Sequence, residues 1–588
     1  MRAVAPSPPR GWARRPANLL GLPYVVFVTI LLVIPMGVLV LYSFWEAGFL
    51  TVERQFSLTT YRELVSDSGF WKVLVRSLAV GVVSASLITI TAFTLCHGLV
   101  LRLPRLKNVL FALVIAASLA SFLGRVLAAQ SLLGDGGFIN HVLMSSGIAS
   151  GPVAALGFGY PAIVLTLIYV WLPVGALILF GALQDIDPAT TQASRDLGAG
   201  RWNTLFRVTV PQAAAGLKTT FALMFIVTTA DYITPSFVGG SKGTVIASNV
   251  SATFLTEGNL PRGSAMAFAL IIAMGVTLGV LWLALKVVRR FAADMGAFSL
   301  RRRAAGRHNG PRRLFRWSVS RIAVAPVLAF LLVPIVAIIV FSLNTAPIVG
   351  LPITGLTTSW YGSIVSTAGF RDALTTSITL MAFDVVGSLA FGIALAFAIA
   401  GRVRRGVLFV LLPIAVAGPI VIPRTVIGVS YYASTALFNM PLGMVTTIAA
   451  QVLLSAPFVG IVLALRLASI DPHVKEAARD LGATPARQQR TVTLPLILPS
   501  IIAVAFMVAA FSLDEILVTS FTIGANSTLP VWMLSEARNG FTPGVDAVAV
   551  ILLLGTIALF LLAAASMALS RVRFRRSARA ALEAQPFG

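Results

Sequence analysis

Few side chains in this chain are placed to do chemistry, and the most suggestive are acids set in apolar sequence. Asp231 lies in Ala230-Asp231-Tyr232-Ile233-Thr234-Pro235-Ser236-Phe237-Val238-Gly239-Gly240. Asp514 and Glu515 lie in Ser512-Leu513-Asp514-Glu515-Ile516-Leu517-Val518-Thr519-Ser520-Phe521. Ionisable groups in apolar segments are costly and by default mark function. Asp231 and Glu515 are 284 positions apart, and that spacing recurs below. Carboxylates at Asp231, Asp514 and Glu515 would attract a cation, and Tyr232 adds a ring face for an ammonium group. A structural reading stands beside this one: the acids sit at the outer membrane interface and pair with Arg125, Arg424 or a backbone amide. Asp384, inside another apolar run, reads as a bond between helices.

Bond-making chemistry finds no comparable set. His97, His141, His308 and His473 are scattered without metal-ligand spacing. The single cysteine, Cys96, offers neither a disulfide nor a thiolate site. The sequence has no G-x-x-x-x-G-K-[ST] phosphate loop, and Gly239-Gly240-Ser241-Lys242-Gly243 has the wrong spacing. We therefore expect no catalytic residues, no metal and no cofactor bound by this chain, with energy supplied by a partner.

The elements that must position the acids follow from a polar segment written twice. The first copy runs Ile186-Asp187-Pro188 to Arg195-Asp196-Leu197-Gly198-Ala199, then Val208-Thr209 and Pro211. The second runs Ile470-Asp471-Pro472 to Arg479-Asp480-Leu481-Gly482-Ala483, then Val492-Thr493 and Pro495, again offset by 284 without a gap. Two copies half a chain apart imply two homologous halves. Within each copy the Asp is a helix N-cap. The Pro fills the first helical position, where its missing N–H costs nothing. The Gly ends the helix. Ala193 and Leu197, like Ala477 and Leu481, share one face at i, i+4. A plain well-capped loop helix explains one copy; two at matched spacing ask for a function.

Hydrophobic residues are 57% of the chain and charged residues 11%, far below the charge of a soluble domain. Apolar runs of membrane-spanning length fall near 20–44, 74–100, 107–133, 160–183, 213–233 and 265–288, then near 321–343, 374–400, 407–433, 445–468, 497–520 and 546–570. That predicts an all-α polytopic membrane protein of about 12 transmembrane helices. Six spans per half make the halves parallel repeats. The charge pattern sets orientation. Residues 134–159, 344–370 and 434–465 contain no Lys or Arg. Arg102, Arg105 and Lys107, Arg195, Arg201 and Arg207, Arg402, Arg404 and Arg405, and Arg479, Arg487 and Arg490 cluster on the other side. Both termini and both duplicated segments are expected in the cytoplasm. The net charge of +24 is thus topological, and nucleic acid is not an expected partner. The organisation expected is a tail at 1–18, a first transmembrane domain at 19–290, a basic linker at 291–320, a second domain at 321–572 and a tail at 573–588. The linker arginines either meet anionic membrane lipid or serve as a tether.

Glu476-Ala477-Ala478-Arg479-Asp480-Leu481-Gly482, followed by a hydrophobic residue and Pro495, resembles the EAA loop of permease subunits of binding-protein-dependent ABC importers. The first copy departs from that pattern with Gln192-Ala193-Ser194, while Arg195, Asp196, Leu197 and Gly198 remain. The resemblance implies a type I importer-like fold in the bacterial inner membrane, with both loops docking a cytosolic ABC ATPase in two copies. ATP and Mg would be held by that ATPase, and a periplasmic or lipid-anchored binding protein would deliver a small-molecule substrate. The stretches around Asp231 and Glu515 resemble the first and second permease subunits of spermidine/putrescine importers, as if fused head to tail. Relatives of that group carry iron(III), thiamine, phosphonates or opines, so these substrates stay open. An ion-coupled secondary transporter using Asp231, Asp514 and Glu515 is the rival from another class.

Overall fold

The computed structural model describes residues 16–48, 51–303, 323–351, 353–401, 407–540 and 542–583. Residues 1–15 of the tail expected at 1–18, the linker arginines from 307 to 316, Arg402, Arg404 and Arg405, and the last five residues lie outside them. The described residues are helical almost throughout. The sheet is one short antiparallel hairpin, pairing Glu46 with Glu53 and Ala47 with Val52.

Nine helices among the described residues are long and apolar enough to cross a membrane, and three bent pairs bring the number to as many as 12. The third run of each half departs from the straight span expected. Lys107–Ser118 meets Phe122–Ser145 at 92°, and Val407–Val421 meets Arg424–Phe438 at 99°. Local chemistry makes each break. Ser121 caps the helix that follows, its side chain accepting from the Gly124 amide at 3.5 Å. Pro423 occupies the N-cap of Arg424–Phe438, and the residue before a proline is pushed out of the helical region.

Prolines also explain three π turns. Thr29–Val33, Leu205–Thr209 and Gln489–Thr493 each end two residues before a proline, namely Pro35, Pro211 and Pro495. Proline donates no hydrogen bond and its ring crowds the carbonyl four residues back. One widened turn relieves both problems and lets the helix continue.

The chain forms two compact units, one comprising residues 1–41 with 357–588 and the other residues 42–356. These differ from the repeat boundaries 19–290 and 321–572, because each repeat's first span belongs to the other repeat's unit. In the first of these units Tyr24 Oη donates to the Ala415 carbonyl at 3.4 Å, and Phe27 stacks on Phe391 with centroids 3.9 Å apart. In the other, Val324–Phe341 packs through Phe330, edge-on to Tyr169 at 5.9 Å. Apolar residues surround both of these spans, so sequence periodicity sets no preferred face for either.

Each unit is built around one closely packed helix pair: Ser68–Arg102 with Tyr160–Gln184, and Ala368–Ala400 with Met444–Ala468. Close approach needs small residues, since lipid supplies no hydrophobic drive between helices. At Gly460 a Cβ would run into the Leu395 side chain. A matched polar clamp fixes the outer helices. Ser77 Oγ accepts from the Ile246 amide at 2.8 Å, and Ser377 Oγ accepts from the Leu529 amide at 2.8 Å. Each serine satisfies the first free N–H of the helix it meets, Ile246–Leu255 or Leu529–Asn539.

Candidate functional site

The duplicated segments fold alike. Pro188–Asp196 and Pro472–Asp480 are nine-residue helices with no buried residue. Asp187 Oδ1 accepts from the Ala189 amide at 2.8 Å, and Asp471 Oδ1 from the His473 amide at 3.0 Å. Gly198 and Gly482 take left-handed φ of 81° and 79°. At the first helix end Gly198 N–H bonds the Arg195 carbonyl at 2.9 Å and Ala199 N–H bonds Ser194 at 3.0 Å. At the second, Gly482 bonds Arg479 at 2.8 Å and Ala483 bonds Ala478 at 3.0 Å. This paired pattern is a Schellman motif. No atom lies within 4 Å of a Cβ built at either glycine, so backbone angle alone demands glycine there. Leu197 and Leu481, just before the turns, are 88% and 89% exposed. A fixed apolar tip between a capped start and a locked end is suited to docking.

The two loops differ in what braces them. Ser194 Oγ meets Thr204 Oγ1 at 3.3 Å and Gln212 Nε2 donates to Thr190 Oγ1 at 3.3 Å in the first. In the second, Arg479 Nε donates to Gln488 Oε1 at 3.3 Å. Glu476 also accepts from His473 Nδ1 at 3.3 Å when that nitrogen carries the proton. The first loop has Gln192 and Ala189 at those two positions, so the alanine leaves no side-chain donor for an equivalent bond.

The acids occupy equivalent helix ends with different partners. Asp231 is 1% exposed. Its Oδ1 accepts from the Ile233 and Thr234 amides at 2.9 and 3.0 Å, and Oδ2 from the Thr234 hydroxyl at 2.6 Å. It thereby starts the short helix Ile233–Val238. Tyr232 is buried beside it, and its carbonyl accepts from Ser236 Oγ at 2.6 Å. Glu515 is buried, bonds the half-exposed Arg424 guanidinium and accepts from the Val518 amide at 3.1 Å. Asp514, half-buried, closes the helix Leu494–Asp514. Of the partners considered, Glu515 thus has Arg424, and Asp231 has the Ile233 and Thr234 amides. Arg125 is buried, its Nη1 donating to the Val170 carbonyl at 2.6 Å.

Asp384 makes the bond between helices expected of it, within a hydrogen-bonded layer whose other members the sequence did not indicate. The Ser388 and Ser455 hydroxyls donate to its carboxylate at 2.8 and 3.2 Å. Nearby Ser512 donates to Gln451 Oε1 at 2.6 Å, and Gln451 Nε2 donates to Thr519 Oγ1 at 3.0 Å. The available signal was polar residues on three apolar segments, which carries no pairing information by itself. Among the described residues no three His, Cys, Asp or Glu side chains come together as a metal site.

Membrane-length helices in two repeats, each carrying one capped and exposed loop helix, define a duplicated membrane transport subunit. The chain belongs to the family described as binding-protein-dependent transport system inner membrane component, which it matches at residues 105–292 and 388–576. It is thus a multi-pass inner-membrane protein. It is 30% identical over 264 residues to the putrescine transport system permease protein PotI of Escherichia coli K12, covering 42% of this chain and 92% of that one. To the spermidine/putrescine permease protein PotB of Salmonella typhimurium LT2 it is 24% identical over 281 residues, covering 46% and 97%. To PotC of Escherichia coli K12 it is 30% identical over 226 residues, covering 38% and 84%.

Proposed function

We propose that this chain is the complete permease pair of an ATP-driven polyamine importer, with both transmembrane domains on one polypeptide. The observation that carries the transport reading is the duplicated loop helix, capped at both ends and exposing Leu197 and Leu481. A rigid exposed helix can pass force from a partner to the span behind it; a frayed loop cannot. Two copies of an ABC ATPase would dock on residues 192–198 and 476–482, holding ATP and Mg themselves. Their closure would rock the two halves between inward- and outward-facing states. The charge pattern supports a cytoplasmic position for both loops and both termini, and a binding protein would deliver substrate from the opposite side.

The relatives' names and the stretches around Asp231 and Glu515 support a polyamine as substrate. In our reading an ammonium group meets Asp514 and competes with Arg424 for Glu515. Asp231, already held by three hydrogen bonds, shapes its own backbone at the start of Ile233–Val238. The test is uptake of labelled putrescine and spermidine into proteoliposomes holding the chain, its ATPase and its binding protein. We expect uptake that requires ATP. Uptake driven by an ion gradient without the ATPase would overturn the importer reading. ATP-driven uptake of iron(III), thiamine or a phosphonate instead would overturn only the polyamine.

A further inference from the structure

We propose that the helix Arg201–Gln212 is a membrane-surface anchor, seating Trp202 and Phe206 among lipid headgroups and presenting Arg207 to their phosphates. This rests on the spans alone and is independent of the substrate and of the ATPase.

Direction is the first argument. Arg201–Gln212 is turned 70° from the span Ala214–Thr229 that follows it. A span standing near the membrane normal therefore leaves this helix roughly 20° from the membrane plane, within ordinary span tilt. The second half behaves differently: Pro485–Asp514 runs as one helix of 30 residues.

The side chains agree with that direction. Trp202 and Phe206, one turn apart, stack with centroids 5.8 Å apart and planes 14° apart. They are 64% and 60% exposed. Asn203 and Arg207 are exposed next to them, while Thr204 and Thr209 are buried against the protein. The outer side of the helix thus divides into an aromatic strip and a polar strip. That division suits a helix lying in the interface, with aromatic rings at headgroup level and cations at the phosphates. In water the same stack would leave two large rings unprotected, at a cost that scales with apolar area. At the equivalent positions of the second half stand Ala486 and Arg490, so the straight helix also lacks the aromatic strip.

Anchoring reaches the loop helix. The Thr204 hydroxyl meets Ser194 Oγ at 3.3 Å, so a helix held by lipid holds the end of Pro188–Asp196 as well. The first loop would be tied to the bilayer and the second would not.

The experiment uses the full chain in nanodiscs of mixed phosphatidylcholine and phosphatidylglycerol, with and without bromine on the acyl chains near the headgroup. Brominated lipid should quench wild-type tryptophan fluorescence more than it quenches Trp202→Phe, a variant that keeps the aromatic stack. In Phe206→Cys and Asn203→Cys, spin labels should report higher oxygen than nickel-chelate accessibility at 206 and the reverse at 203; the native Cys96 is buried. Raising the phosphatidylglycerol fraction should strengthen the Trp202 quench, and Arg207→Gln should reduce that dependence. Equal quenching in wild type and Trp202→Phe overturns the proposal. So does quenching that disappears when the ATPase is added, which would make the aromatic strip a protein-docking face. ATP-dependent uptake measured in the same discs fused to vesicles reports separately on the importer reading.

Discussion

Substituting Gly482 separates a backbone requirement from a steric one. Its φ of 79° is left-handed, a conformation that costs an L-residue about 1–2 kcal/mol. No atom lies within 4 Å of a Cβ built there, so collision adds nothing. The cost falls on the turn that bonds Gly482 to Arg479 and Ala483 to Ala478. A penalty of that size lowers the population of the capped turn by a factor of about 5–30. Asparagine tolerates the left-handed region, alanine less so, and β-branched valine least. Substrate-stimulated ATPase activity of the reconstituted complex should therefore fall in the order Gly, Asn, Ala, Val. The melting temperature of the membrane domain should stay put, because the loop helix buries no residue. Full coupling in Gly482→Val would refute the force-bearing helix. Equal loss in Gly482→Asn and Gly482→Val would refute the backbone argument, placing the requirement in a partner socket that excludes any side chain.

Four further outcomes follow. Arg424→Gln leaves buried Glu515 without its cation, and with Arg424 half exposed we expect a loss of about 1–2 kcal/mol; Arg424→Gln/Glu515→Gln should recover part of it in a double-mutant cycle read by thermal unfolding. Asp231→Ala removes the acceptor of two amides and a hydroxyl and should cost about 1–3 kcal/mol, whereas Asp231→Asn should keep the fold; lost uptake in a fully folded Asp231→Asn would instead assign the charge to the transported cation. Ser377→Ala strips the Leu529 amide of its acceptor, and hydrogen exchange at the start of Leu529–Asn539 should quicken with little change elsewhere. Gly460→Val drives a side chain into Leu395 and should lower stability by about 1–3 kcal/mol, measured by thermal unfolding in detergent.

The loop helices were legible because their determinants are local. Asp187, Pro188 and Gly198 each act within a few residues, and their copies at Asp471, Pro472 and Gly482 doubled the signal. The spans were legible from length and apolarity. The breaks before Phe122 and Arg424 were not, since a bent apolar run and a straight one have the same composition. Asp231 and Glu515 were found as rare polar residues, but which of two readings fits them depended on where Thr234 and Arg424 come to lie. The Asp384 layer joins residues 71 positions apart, a distance at which sequence carries no pairing signal. Nothing in the sequence around Trp202 and Phe206 marks them out, because their placement depends on the bend of their helix.

The exchange of first spans has a bearing on how the molecule is made. Tyr24 leaves the ribosome long before its carbonyl partner at Ala415, which lies 391 residues later. The span that carries Tyr24 must therefore wait in the bilayer while the residues up to Ala415 are made. Contacts of such sequence separation are slow to close. The other unit waits less: Phe330 arrives to find Tyr169 already inserted. Assembly in chain order would complete residues 42–356 first and join residues 1–41 to 357–588 afterwards. A ribosome stalled far enough past residue 356 for that residue to clear the exit tunnel should expose a unit at 42–356 already resistant to protease, with the span of Tyr24 still open to crosslinking with the insertion machinery.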